Sequence, residues 1–131
     1  MAGKILVVED DESMRELLRL HLEHAGYEVT VTEDGIGAGY AVLQSPPDLI
    51  VCDVDMPNMD GFQLVEALRA DAALPRMPVV FLTSVEDGAA RATALGAADY
   101  IFKPVLVDRL LKAVQKALAA QPPPRRSGPP P

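Results

Sequence analysis

The chain has 131 residues, 49% hydrophobic and 24% charged, with a formal net charge of −7; this is the composition of one globular domain, not of a disordered chain or of two full domains. No apolar run reaches the about 18–20 residues of a membrane span, and the opening Met1-Ala2-Gly3-Lys4 lacks a signal-peptide core, so a cytoplasmic protein away from membranes is expected. The lone Cys52 excludes an internal disulfide and a cysteine-based zinc site.

In chain order, Lys4–Val8 (KILVV) is a short apolar run that reads as a buried strand, followed by the acidic Glu9-Asp10-Asp11-Glu12. Met14, Leu17, Leu18, Leu22 and Ala25 then repeat with helical spacing, and Gly26 supplies the stop. Tyr27–Thr32 (YEVTVT) alternates in polarity, which predicts a strand near a sheet edge. Ile36–Leu43 predicts a weaker helix, because Gly37 and Gly39 each cost about 1 kcal/mol relative to alanine. Asp48–Cys52 is a third strand that runs into Asp53-Val54-Asp55-Met56-Pro57 and a turn, Asn58-Met59-Asp60-Gly61. Phe62, Val65 and Leu68 form a short helical stripe, and Pro78–Leu82 is a fourth strand ending at Thr83-Ser84. Glu86–Leu95 is alanine-rich and helix-capable. Asp99–Phe102 is a fifth strand ending at Lys103-Pro104, and Val107, Leu110, Leu111, Val114 and Leu118 stripe a last helix. Residues 121–131, QPPPRRSGPPP, hold six of the twelve prolines and read as an extended tail or linker leaving a domain of residues 1–120; a ligand for an SH3-like groove is the alternative.

Strand and helix thus alternate five times. Strands joined through helices are parallel, with right-handed crossovers and helices on both faces, so the fold class is a doubly wound α/β sheet. Ligands of such sheets bind outside the carboxyl ends of the strands. That rule brings Glu9 and Asp10, Asp53 and Asp55, Thr83 and Ser84, and Lys103 to one mouth. Clustered carboxylates repel unless a cation neutralises them, and a hard, oxygen-seeking ion such as Mg²⁺ suits that task. A carboxylate such as Asp53 can attack phosphorus, while an ammonium and hydroxyls hold the remaining phosphoryl oxygens. Taken singly, each feature has a plain structural explanation: acidic helix N-termini, a cap at Ser13, a turn at Asp60-Gly61. Their joint placement at four strand exits is what argues for a site. Residues 1–120 carry about −9, since two of the twelve bases, Arg125 and Arg126, lie in the tail; such a surface disfavours direct nucleic-acid binding.

The blocks ILVVEDD at 5–11, DLIVCDVDMPNMDG at 48–61, VVFLTS at 79–84 and GAADYIFKP at 96–104 resemble the receiver domain of two-component response regulators, the CheY-like family, over residues 4–120. The resemblance implies the strand order 2-1-3-4-5. It also implies a phosphoacceptor at Asp53, with Mg²⁺ held by Asp10, Asp53 and the backbone carbonyl of Asp55, and with Glu9 acting mostly through water. By the same resemblance Lys103 and Ser84 would contact the phosphoryl group, Thr83 and Tyr100 would act as the switch, and Lys103-Pro104 would be cis. The implied function is a signalling switch phosphorylated by a sensor histidine kinase or phosphotransfer protein. It would act on a downstream protein or fused output domain, and would promote its own dephosphorylation rather than turn over a substrate. A homodimer driven by phosphorylation is compatible with this.

Two departures stand out. The interval from Thr83 to Lys103 is about two residues shorter than the family pattern, which predicts a short or partly irregular fourth helix. Asp55 places a second carboxylate where many relatives have a neutral residue, and is expected to raise cation affinity and repel an incoming phosphoryl group. Two alternatives remain at this point: a haloacid-dehalogenase-type phosphatase, suggested by Asp53-Val54-Asp55, and a degenerate receiver used only for binding. Cys52 is expected to point into the core.

Overall fold

A computed structural model describes residues 3–84 and 88–120. Five strands, β1 (Lys4–Val8), β2 (Glu28–Thr32), β3 (Leu49–Asp53), β4 (Val79–Thr83) and β5 (Asp99–Phe102), alternate with helices α1 (Glu12–His24), α2 (Gly35–Gln44), α3 (Gly61–Ala70), α4 (Ala89–Ala94) and α5 (Val107–Ala119). The sheet has the order β2-β1-β3-β4-β5, and every neighbouring pair is parallel. The doubly wound class and strand order expected from the sequence are therefore observed. The alternating strand lies at one edge, as its polarity suggests.

Strand residues divide between two cores, because successive side chains point to opposite faces. Leu6, Val8, Ile50, Cys52, Val79 and Phe81 pack under α2, α3 and α4 through Val42, Val65 and Ala92. Ile5, Val7, Leu49, Val51, Val80 and Leu82 pack under α1 and α5 through Leu18, Leu22, Leu110 and Val114. Cys52 is fully buried, as expected.

The helices begin where side chains satisfy their first N–H groups. Asp11, not Ser13, caps α1 by accepting from the Met14 N–H at 2.9 Å. Asp34 caps α2 in the same way and lets it form despite its three glycines. Asp60 and Gln63 make a reciprocal capping box on α3. Gly26 closes α1 with φ 102°, a conformation that penalises any side chain. Leu17 and Ala25, on the stripe that the spacing predicts for α1, are exposed, because the side that meets the sheet runs through Leu18 and Leu22 with Met14 packed against it. The described part of the fourth helix spans six residues, in keeping with the short interval. Glu86, where that helix was expected to begin, and the tail 121–131 lie outside the described residues.

Candidate functional site

The site forms because the apolar strands end together, each on polar residues. Glu9 follows β1 directly; its N–H donates to Thr32 O at 3.0 Å, which extends the β1–β2 ladder and leaves its side chain buried. Asp10 is exposed beside it, while Asp11 has turned away to cap α1. The acidic run thus divides its labour: two carboxylates face the mouth and one starts a helix. Asp53 is the last residue of β3, paired with Leu82, and its side chain is 1% exposed. Thr83 ends β4 and is buried. The Lys103 N–H donates to Thr83 O at 2.8 Å, which fixes that lysine over the neighbouring strand.

These anchors bring the side chains together. Asp53 Oδ1 accepts from Lys103 Nζ at 2.8 Å and from the Asp55 N–H at 3.0 Å. Its other oxygen, Oδ2, and Oε1 of Glu9 are buried and accept no hydrogen bond. Carboxylate oxygens from Glu9, Asp10 and Asp53 lie within 4.8 Å of one another. Three converging carboxylates, two of which carry a buried oxygen without a hydrogen bond, are costly unless a proton or a cation lies among them. The protein's own response is visible at Glu9. Burial, its hydrogen-bonding approach to Asp53 and the Asp53 charge raise its pKa from 4.5 to about 8, against the opposing Asp11 N–H and Lys103. For Lys103, burial alone would lower the pKa, but the bond to Asp53 and the charges of Asp53, Glu9 and Asp55 outweigh it and hold the ammonium above its usual value. An all-carboxylate donor set with orphaned oxygens fits a hard divalent cation such as Mg²⁺.

The Asp55 carboxylate turns to Ser84. Its Oδ2 accepts from the Ser84 N–H at 2.8 Å and the Ser84 hydroxyl at 3.0 Å. Oδ1 lies 3.5 Å from the Thr83 hydroxyl, and Lys103 Nζ is 3.6 Å from Oδ2. The side chain therefore faces the hydroxyl and ammonium donors, and it is not one of the three carboxylates that cluster.

Tyr100, from β5, is half-buried; its ring stacks on Phe62 at 6.3 Å and meets Phe102 edge-on at 5.4 Å. Gly88 passes so close to the Tyr100 hydroxyl and the Phe62 ring that a Cβ there would overlap both. Arg91 lies over the Phe62 ring, 5.0 Å from its centroid, and pairs with Glu66. Asp55, Met56, Phe62, Gly88 and Arg91 line an open concavity of about 460 Å³ beside the mouth. Sequence spacing marks Phe62 only as a core residue of α3; its partnership with Tyr100 depends on how α3 and β5 approach. The Lys103–Pro104 bond is cis, as the resemblance implies.

Residues 5–115 match the family model described as the response regulator receiver domain. The chain belongs to that family. Among relatives, it is 36% identical over 120 residues to the response regulator MprA of a Mycobacterium species, covering 90% of this chain and 51% of that protein. It is 35% identical over 117 residues to the DNA-binding dual master transcriptional regulator RpaA of Synechocystis, covering 88% and 48%. The chain thus spans about half the length of these curated relatives. Among solved structures, the chemotaxis protein CheY4 of Vibrio cholerae has a TM-score of 0.82 at 33% identity, covering 89% of this chain and 99% of that one. The receiver domain of a histidine kinase from Syntrophus aciditrophicus also has 0.82 at 33% identity, covering 97% and 100%. A receiver domain of two-component systems is not in general a turnover enzyme, and membership displaces the phosphatase alternative. No helix among the described residues is long and apolar enough to cross a membrane.

Proposed function

We propose that this receiver domain is a phosphoacceptor switch that takes a phosphoryl group onto Asp53 from a phosphohistidine. The observation that carries the reading is the pairing of the buried Asp53 with Lys103 at 2.8 Å, next to two orphaned carboxylate oxygens. A carboxylate oxygen of Asp53 attacks phosphorus; the P–N bond to the donor imidazole breaks, and its electron pair leaves with the imidazole. Lys103 holds its charge against the phosphoryl oxygens, and the Thr83 hydroxyl and Ser84 N–H donate to them; positioning and charge neutralisation supply most of such catalysis. Glu9, Asp10 and Asp53, with the Asp55 backbone carbonyl, would hold Mg²⁺, whose charge when bound offsets that of the phosphoryl group.

Thr83, drawn to the phosphoryl group, and Tyr100, packed on Phe62, carry the change toward the face formed by α4, β5 and α5. Hydrolysis of the acyl phosphate resets the switch. The partners in this reading are a sensor histidine kinase or phosphotransfer protein and a downstream protein or fused output domain, in the cytoplasm. The charge of residues 1–120 argues against contact of this segment with nucleic acid.

The test is intact-mass spectrometry after incubation with acetyl phosphate and Mg²⁺. One phosphoryl group is expected on the wild type and none on Asp53→Asn. A wild type that stays unlabelled, or a label that persists in Asp53→Asn, overturns the reading, and the former outcome would leave a binding-only receiver.

A further inference from the structure

The donors assigned to the phosphoryl group already serve another anion. Oδ2 of Asp55 takes both donors of Ser84, the N–H at 2.8 Å and the hydroxyl at 3.0 Å. Its Oδ1 lies 3.5 Å from the Thr83 hydroxyl, and the carboxylate is 3.6 Å from Lys103 Nζ. Thr83, Ser84 and Lys103 come from two different strand ends, so a single short side chain reaches all three only by standing between them. A transferred phosphoryl group must stand in that same place, because it too has to be bonded to Asp53 and held by these donors. Both anions cannot occupy it: they would share the donors and repel one another. The Asp55 side chain is 26% exposed, so it has open solvent to turn into, unlike that of Asp53 at 1%.

We propose that the Asp55 carboxylate is an internal occupant of the phosphoryl-binding donors, which is displaced whenever a phosphoryl group arrives on Asp53 and returns when that group leaves. This rests on the phosphoacceptor reading above and adds a regulation of the same site. Asp55 forms no bond to phosphorus and moves no proton. It competes with the anion, so its effect appears in the concentration of phosphodonor or phosphoryl mimic needed for half-occupancy. A second consequence follows for the resting protein. Because Asp55 holds Ser84 and approaches Thr83 before any phosphorylation, the end of β4 is already tethered to the turn after β3, and the arriving phosphoryl group exchanges one anchor for another.

Beryllofluoride, a non-covalent phosphoryl mimic, is titrated at Mg²⁺ concentrations high enough that doubling them changes nothing, with the Ser84 amide resonance as the readout. Acetyl phosphate labelling is followed in parallel by intact mass. Asp55→Ala is expected to lower the half-saturating beryllofluoride concentration about tenfold, as loss of one charge-assisted competitor implies, with a matching fall in the half-saturating acetyl phosphate concentration. In acetyl phosphate labelling the P–O bond to acetate breaks as the Asp53 O–P bond forms, and acetate leaves with the electron pair. Asp55→Asn, which keeps an oxygen for the Ser84 N–H but loses the charge facing Lys103, is expected to fall between alanine and wild type. Unchanged half-saturation in Asp55→Ala overturns the proposal. So does an equal gain in Asp55→Ala and Asp55→Asn, which assigns the effect to charge rather than to occupancy. A wild type in which Asp53 takes neither label nor beryllofluoride instead overturns the phosphoacceptor reading itself, and this proposal with it.

Discussion

Replacing Gly61 by alanine tests how the end of β3 is held. Gly61 opens α3, and its N–H donates to Val54 O at 3.2 Å, so the helix starts against the end of β3. A Cβ at this position would lie 2.5 Å from the carbonyl oxygen of Asp53, 3.0 Å from Cys52 Sγ and 3.0 Å from Val54 Cα. Ordinary contact begins near 3.4 Å, so helix or strand has to retreat by most of an ångström, and two of the three obstacles are backbone. Overpacking of this kind costs about 1–3 kcal/mol. Alanine recovers part of that through its better helix propensity, at most about 1 kcal/mol. The net expectation is a loss of about 1–2 kcal/mol, or about 3–10 °C in melting temperature for a domain of this size. Gly39→Ala is the internal control: it lies within α2, a Cβ there meets nothing within 4 Å, and a gain of about 0.5–1 kcal/mol is expected. Urea and thermal unfolding by circular dichroism read both. The two substitutions should move the midpoint in opposite directions, and a Gly61→Ala protein at or above the wild-type midpoint refutes the argument that β3 and α3 are in backbone contact there.

In chelator-treated buffer, stability is expected to fall as pH rises from about 4.5 toward 8, because folded Glu9 keeps a proton in that window that the unfolded chain releases. Glu9→Gln should flatten this slope in urea midpoints measured at pH 5 and pH 8; an unchanged slope would place the titration elsewhere. The Cys52 thiol, pushed well up by burial and by the charges of Asp53, Asp60 and Glu9, should resist Ellman's reagent in the native protein and react only on unfolding. Reaction at the rate of an exposed thiol would contradict its burial. Arg69 donates to Met77 O at 2.6 Å and Leu95 O at 3.3 Å, tying α3 to the segments before β4 and after α4. Arg69→Ala leaves both carbonyls without this donor and should cost about 1–3 kcal/mol by urea unfolding; a neutral result would mean that water replaces the guanidinium.

Much of this fold is legible in the sequence because buried parallel strands have little freedom in composition. The runs at Lys4–Val8 and Asp99–Phe102 match β1 and β5 residue for residue, whereas β3 and β4 begin and end one position later than their apolar runs. The reason is that apolarity marks burial, whereas a strand is defined by its ladder, and the ladder carries on into Asp53 and Thr83. Those two polar ends are also why the mouth could be located. Helix faces are less legible: spacing admits Leu17 to the stripe of α1, but the width of the buried seam depends on crossing geometry, and Leu17 is 47% exposed. The orientation of Asp55 was not legible at all. Motif position puts a carboxylate at the mouth, but whether it turns to the acids or to Ser84 is decided by a loop conformation that includes Asn58 at φ 69°.

The two margins of the sheet have a consequence for assembly. β2 at one border alternates exposed Glu28 and Thr30 with half-buried valines, and β5 at the other is only four residues long and runs into Pro104, which has no N–H to offer. Neither border presents a long, flat, greasy template, so a foreign strand finds poor purchase on either side. Contacts with other macromolecules are thereby steered toward helical flanks and the loops around the mouth, and the molecule is guarded against stacking edge to edge into fibres.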